Sequence, residues 1–321
     1  MGKKYLSRQM GYFIGGILIL ILLPKILYIG FFLHIATVIL IMAILCLSLN
    51  IIFGYTGQLS LAHGGLFGIG GYVYAILSTK LSLNFWIACP IAAIAAGIAG
   101  VLIGVPSLRL RGPFFVIVTL GFNIIIVAII KNLSKLTGGV NGLMGIPGPS
   151  SLFTSLINID FETGFMKYYL ILFFFLIVTF IAYRTKKCLV GKCFAAIKED
   201  EDLCKSVGIN TMSLKMQSFV LSSILAGLAG VLYASYIGMM IPEDASFHIG
   251  FDALLYLTVG GIGTLLGSIV GPTLMIILSE IFQVVAEART LFNGLALVLL
   301  IIFMPKGIIG NVLPLLKKKK V

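Results

Sequence analysis

Long apolar stretches without a single charge set the pattern of this chain. Residues 26–79, 81–108, 112–130, 216–242 and 253–279 contain no Asp, Glu, Lys or Arg. A helix needs about 20 apolar residues to cross the hydrocarbon core of a bilayer, so each stretch has room for one span and the first has room for two. The stretches are apolar all round, as in YYLILFFFLIVTFIAY at 168–183. A membrane β-barrel would instead alternate apolar and polar positions in segments of about ten. Backbone groups in lipid must be satisfied internally, which leaves helices. Breakers and charges then place spans near 10–27, 31–53, 61–78, 85–105, 113–130, 168–183, 216–236, 251–261, 265–283 and 291–305. The expected fold is an all-α polytopic bundle of about ten spans in a single domain, 1–321.

Charge orients it. Arg109 and Arg111 sit in the 106–112 turn, and residues 184–215 carry seven Lys and Arg. The positive-inside rule puts both in the cytoplasm. The 237–250 loop holds Glu243 and Asp244 without a basic residue and reads as external, whereas the closing Lys317–Lys320 run reads as internal. An odd number of crossings must separate the two, which splits 251–283 at Gly260-Gly261-Ile262-Gly263. The first piece, about 11 residues, is too short to span alone and is expected to be a broken or partly inserted helix. Both termini are expected in the cytoplasm, and 131–167, rich in Gly and Pro, forms the longest external segment.

Composition narrows the function. Hydrophobic residues make up 60% of the chain and charged residues 11%, far from an average soluble domain. The net charge of +12 is accounted for by span ends and cytoplasmic loops, so nucleic acid is not an expected partner. Lys3, Lys4 and Arg8 before an apolar run imitate a signal peptide, but Pro24-Lys25 stands where small residues would mark cleavage, and the run is kept as a span. Cys188, Cys193 and Cys204 match no common zinc spacing, and the five cysteines form no readable disulfide framework. No P-loop, HExxH or GxSxG motif is present, so no catalytic site, metal or cofactor is expected. Energy must come from an ion gradient, a voltage or another protein.

Two segments carry candidate chemistry. In 184–215, Phe194, Ile197, Leu203, Cys204 and Val207 recur with a spacing compatible with one face of short helices interrupted by Glu199, Asp200, Glu201 and Asp202, with Gly208 as a stop. This is either a solvated loop or a docking helix for a cytoplasmic partner. In 54–65, small and polar residues mark a helix break able to line a polar path. Its glycines suit close helix packing, as do Gly97 and Gly100. Gln58, Ser60 and His63 are the better path candidates, together with Thr119 and Asn123, because polar groups at membrane depth are costly unless paired or facing water. Asn123 is equally suited to interhelical bonding, and Asn50 is a further polar residue at a span position.

Leu49-Asn50 followed by GYTGQLSLAHGGLFGIGGY at 54–72 resembles the LivM-type permeases of branched-chain amino acid ABC importers. So do LRLRGPFFVIVTLGF at 108–122, LTGGVNGLMGIPG at 136–148, GKCFAAIKEDEDLCKSVGIN at 191–210, VGGIGTLLGSIVGP at 259–272 and MPKGIIG at 304–310. The resemblance implies that 184–215 is the ATPase-coupling segment, with Gly191, Glu199, Asp200, Glu201, Asp202 and Gly208 at its centre, although Asp202-Leu203-Cys204 stands where the general motif has Glu-Ala-Ala. It also implies a LivH-type permease partner, two ATPase subunits that bind the ATP, an extracytoplasmic binding protein and a place in the bacterial plasma membrane. Related permeases serve urea and short amides. An ion-coupled secondary transporter is the rival reading, disfavoured by the shortage of buried carboxylates, and a channel is a third, for which no selectivity signature is visible.

Overall fold

The computed structural model describes residues 30–149, 164–281 and 307–310, together with Pro24. The rest of the predicted 10–27 span, the 291–305 span, the Lys317–Lys320 run and part of the 131–167 segment lie outside the described residues. The architecture is all-α. In order come α1 (Gly30–Leu49), α2 (His63–Lys80), α3 (Phe85–Ser107), α4 (Pro113–Asn132), α5 (Gly164–Lys187), α6 (Leu189–Glu199), α7 (Glu201–Ser206), α8 (Thr211–Ile237), α9 (Phe247–Gly260) and α10 (Gly267–Ile281). A π-helical turn, Asn50–Tyr55, extends α1. Among the described residues five helices are long and apolar enough to cross a membrane: α1 with its π-turn, α3, α4, α5 and α8. The shorter α9 and α10 have 14 and 15 residues. At 1.5 Å per residue α9 does not reach the roughly 30 Å of a hydrocarbon core, and the 15 residues of α10 run up to the limit of the described residues.

Apolar burial does not drive helices together inside lipid, so close approach of backbones must. The seams around α8 are built that way. Gly104 lies against Phe219 and Met216, Gly100 against Ser223, Gly97 against Ile224, and Ala96 against Gly227, which sets α3 antiparallel to α8. On the other side of α8, Gly70 lies against the Gly227 backbone and Gly230 against the Phe67 carbonyl, leaving no room for a Cβ at either glycine. The packing role expected of Gly97 and Gly100 is what the structure shows. A second seam, Gly260 on Gly267 and Gly271 on the Tyr256 carbonyl, makes α9 and α10 a tight antiparallel pair. By contrast α4 buries Phe115, Thr119, Asn123 and Ile130 and leaves Phe114, Ile117, Ile124, Ile125 and Ile129 exposed, an apolar face suited to lipid or to another chain.

The bundle has two distinct ends. At one, Lys198 of α6 and Lys186 of α5 reach the 261–266 turn, and Gly307 lies on Gly261. At the other, a two-residue antiparallel ladder pairs β1 (Leu143–Met144) with β2 (Met239–Met240), and Lys131 pairs with Glu243 at 3.1 Å. From β2 the chain descends along α2, with Met240 beside Gly71, Ala245 beside Gly68 and Ser246 beside Gly64. The expected 11-residue broken helix at 251–261 is therefore a 14-residue helix that starts partway down the bundle, because a descent through the short 3₁₀ turn Pro242–Ala245 has already covered the first stretch of depth.

The seams predict a contrast between two glycines. Gly227→Leu should sharply reduce the folded protein recovered from membranes, whereas Gly121→Leu, whose Cβ would meet open space, should leave it near wild type. Monodisperse yield in detergent measures the difference, since overpacking a full interface costs on the order of 1–3 kcal/mol or more.

Candidate functional site

The break between α1 and α2 leaves residues 57–62 outside any helix, so their backbone groups need partners from elsewhere. Gly57 and Gln58 donate back to the Phe53 and Ile52 carbonyls at 3.1 and 3.2 Å. The Ser60 hydroxyl accepts from the Ala62 amide at 3.3 Å. Leu61 is served on both sides by α4: its amide donates to Thr119 Oγ1 at 3.2 Å, and its carbonyl accepts from Asn123 Nδ2 at 3.5 Å. Thr119 and Asn123 are four residues apart and share one helix face. Ser60, His63, Thr119 and Asn123 are buried. The His63 ring lies edge-on to Phe219 with centroids 6.4 Å apart, and neither ring nitrogen finds a partner among the described residues. Gln58 alone of the five lines an open cleft, of about 410 Å³, formed with Gly57, Leu59, Gly112, Pro113, Phe115, Val116 and Ile117.

The charged segment folds as α6 and α7. Phe194, Ile197 and Cys204 point inward, but Leu203 and Val207 are 64% and 69% exposed. The single apolar face expected of these five is thus two faces. Asp200 has an extended backbone (φ −153°, ψ 106°) that ends one helix and starts the next, resetting the phase. Its side chain caps α7 by accepting from the Asp202 and Leu203 amides, both at 2.9 Å, as N-capping requires.

The other carboxylates divide between structure and surface. Glu201 bonds the buried Lys215 ammonium, Lys205 at 3.0 Å and the Thr211 hydroxyl at 3.3 Å. Partial burial opposes its ionisation, but the Lys215 and Lys205 bonds together outweigh that and hold its carboxyl below the usual range. Asp202 makes a two-point bridge to Arg111, at 2.7 and 3.0 Å, which lowers its pKa in turn. Glu199 is exposed and has no ion-pair partner among the described residues. Gly191 is buried where a Cβ would strike the Thr185 carbonyl. Gly208 has φ +83° with open space around it, so only backbone conformation demands glycine there. The pairings of Arg111 and Lys215 leave no mark in the linear pattern, because each partner sits on a different element.

The family model described as "Branched-chain amino acid transport system / permease component" matches residues 31–304. The chain belongs to this family. The permease is 33% identical over 303 residues to "High-affinity branched-chain amino acid transport system permease protein LivM" of Escherichia coli (strain K12), covering 89% of this chain and 71% of that one. It is 24% identical over 297 residues to the LivH permease protein of Salmonella typhimurium (strain LT2), covering 84% and 91%. A more distant relative is "Autoinducer 2 import system permease protein LsrC" of Yersinia pestis (strain Pestoides F), 27% identical over 216 residues, covering 64% and 58%. No solved structure matches the chain. The permease is a multi-pass membrane protein, and the family is one of transport components and not of catalysts.

Within the permease, Glu201 should matter to folding more than its acidic neighbours. Glu201→Gln leaves the buried Lys215 ammonium without its counter-charge, a loss of roughly 3 kcal/mol, and should lower the melting temperature in detergent well beyond Asp202→Asn. Because the folded Glu201 carboxyl titrates below its unfolded value, its contribution is complete above the ordinary carboxylate pKa and is lost as pH falls through the folded one. Melting curves between neutral and acidic pH should converge for wild type and Glu201→Gln at the acidic end.

Proposed function

We propose that this permease is one of two membrane subunits of an ATP-driven importer of branched-chain amino acids, paired with a LivH-type subunit. Two ATPase subunits bind and hydrolyse the nucleotide, and none binds to this chain. An extracytoplasmic protein delivers the substrate. In this reading ten spans place both termini in the cytoplasm. Membership of the family supports it, as do the chemistry and position of the charged segment.

The observation that carries the coupling role is the exposure of Leu203 and Val207 on a segment outside the apolar helices. An exposed apolar pair amid charges suits a partner protein. Asp200, Glu201 and Asp202 are occupied with holding α7 in place, so in this reading they orient the segment while Leu203, Val207 and the unpaired Glu199 meet the ATPase. Gly191 and Gly208 keep its two helices in register. At the opposite end, the β1–β2 ladder ties residues 131–149 to the 237–250 segment, a suitable dock for the binding protein.

Import then proceeds by alternating access. Docking of the loaded binding protein and closure of the ATPases favour different conformations, and differential affinity converts ATP binding into motion. Gln58, Ser60, His63, Thr119 and Asn123 are uncharged groups around the α1–α2 break, able to give a zwitterion the weak, transient contacts that permit release.

Reconstituting the permease with its partner, ATPases and binding protein in liposomes tests this reading. ATP-dependent uptake of labelled leucine, outcompeted by valine or isoleucine and not by urea, is the expected result. Uptake of urea or acetamide in its place would overturn the substrate assignment. The double change Leu203→Asp with Val207→Asp should abolish co-purification of the ATPases while leaving the permease in the membrane; undiminished co-purification would overturn the docking surface.

A further inference from the structure

The α1 π-turn and the α9–α10 turn each end a helix inside the protein and leave carbonyl oxygens without an intrahelical donor. Two of these carbonyls are taken by lysines from distant sequence. Lys198, on α6, donates to the Gly54 carbonyl at 2.9 Å. Lys186, at the end of α5, donates to the Gly263 carbonyl at 2.6 Å, and its ammonium lies 5.5 Å from the centre of the Tyr55 ring. The same two breaks are stitched together by the buried Asn50 side chain. Its carbonyl accepts from the Gly263 amide at 2.8 Å, and its amide donates to the Thr264 carbonyl at 3.1 Å. The Gly263 residue is thus held at its N–H by α1 and at its carbonyl by α5.

A single lysine near a helix C-terminus is an ordinary stabilising contact. Here two lysines flank one segment, reach two different interrupted helices, and meet at turns already joined by one asparagine. We infer that Lys186 and Lys198 are positioning residues, a pair of tethers that lock the α6–α7 segment to the ends of α1 and α9. The inference deepens the coupling role proposed above and rests on it. Its mechanical sense follows from what lies next in the chain. Gly57 sits on the Lys198 stem, where a Cβ would stand 3.1 Å from Lys198 Cγ, and Gly57 and Gln58 form a wall of the open cleft. A displacement of α6 therefore reaches that wall through one side chain, and reaches the α9–α10 pair through Lys186 and Asn50.

The whole importer, reconstituted in liposomes, provides the test, with amino acid imported per ATP hydrolysed as the readout. Methionine keeps most of the lysine stem and removes the charge. The paired change Lys186→Met with Lys198→Met is expected to leave assembly and basal ATP hydrolysis intact while transport per ATP falls at least about tenfold, since it removes two charge-assisted hydrogen bonds and one alone is on that scale. Lys198→Met alone should give a smaller fall, and Lys198→Arg should restore most of it. An unchanged ratio in the paired variant overturns the inference. Failure of the ATPases to co-purify with the single Met variant also overturns it, since the lysine would then serve folding or docking and not transmission. The underlying coupling reading fails separately: in that case the wild-type complex itself would show no ATP-driven uptake.

Discussion

A peptide group inside a bilayer has no water to turn to, and that constraint governs every unusual feature of this permease. Among the described residues the chain leaves α-helical geometry at three places within the bundle, 57–62, 241–246 (which holds the short 3₁₀ turn Pro242–Ala245) and 261–266. Each unpaired amide or carbonyl there would cost several kcal/mol in hydrocarbon. Each break is accordingly covered by protein. Thr119 and Asn123 serve the first, the glycines of α2 receive the second at van der Waals range, and Asn50 with Lys186 serves the third. Thr119, Asn123 and Asn50 thus answer backbone, whereas the buried His63 ring does not among the described residues.

That view orders the remaining interactions by what they can contribute. The Arg111–Asp202 bridge is exposed on both sides, and such pairs add little to stability even with two-point geometry. The Glu201–Lys215 pair is different, because Lys215 is almost fully enclosed and removal of either partner strands a charge. It fixes α7 to the start of α8, the helix on which α2 and α3 both pack. The buried pair therefore stiffens the junction between α7 and α8, the property that the coupling role proposed above would require of it.

Much of this was legible in the sequence, and the illegible part has a common cause. Uncharged runs located α1, α3, α4, α5 and α8, with ends within a few residues, because hydropathy is a local property. The start of α9 was misplaced because Glu243 and Asp244 mark a loop without saying how deep it descends. The face formed by Leu203 and Val207 was merged with that of Phe194 and Ile197 because periodicity carries across Asp200 only if the backbone does, and there it does not. Thr119, Asn123 and the acidic cluster were recognisable as special. Their partners were not, since the groups they bond are backbone atoms or side chains on other elements, invisible to any pattern along one helix.

The distribution of close packing also says where such a molecule can move. The seams of α8 with α2 and α3, and of α9 with α10, bring backbones together at glycine, and a shift there would cost many van der Waals contacts at once. Helix α4 is joined to the break mainly by the Thr119 and Asn123 bonds to Leu61, and most of its length faces outward. It can shift with the least loss of packing. The cleft between its first turns and Gly57–Leu59 lies at that weakly packed junction, beside the Lys198 tether. The weakly packed junction of α4 thus adjoins α6 through the Gly57–Lys198 contact, which is where the coupling role proposed above would need the bundle to yield.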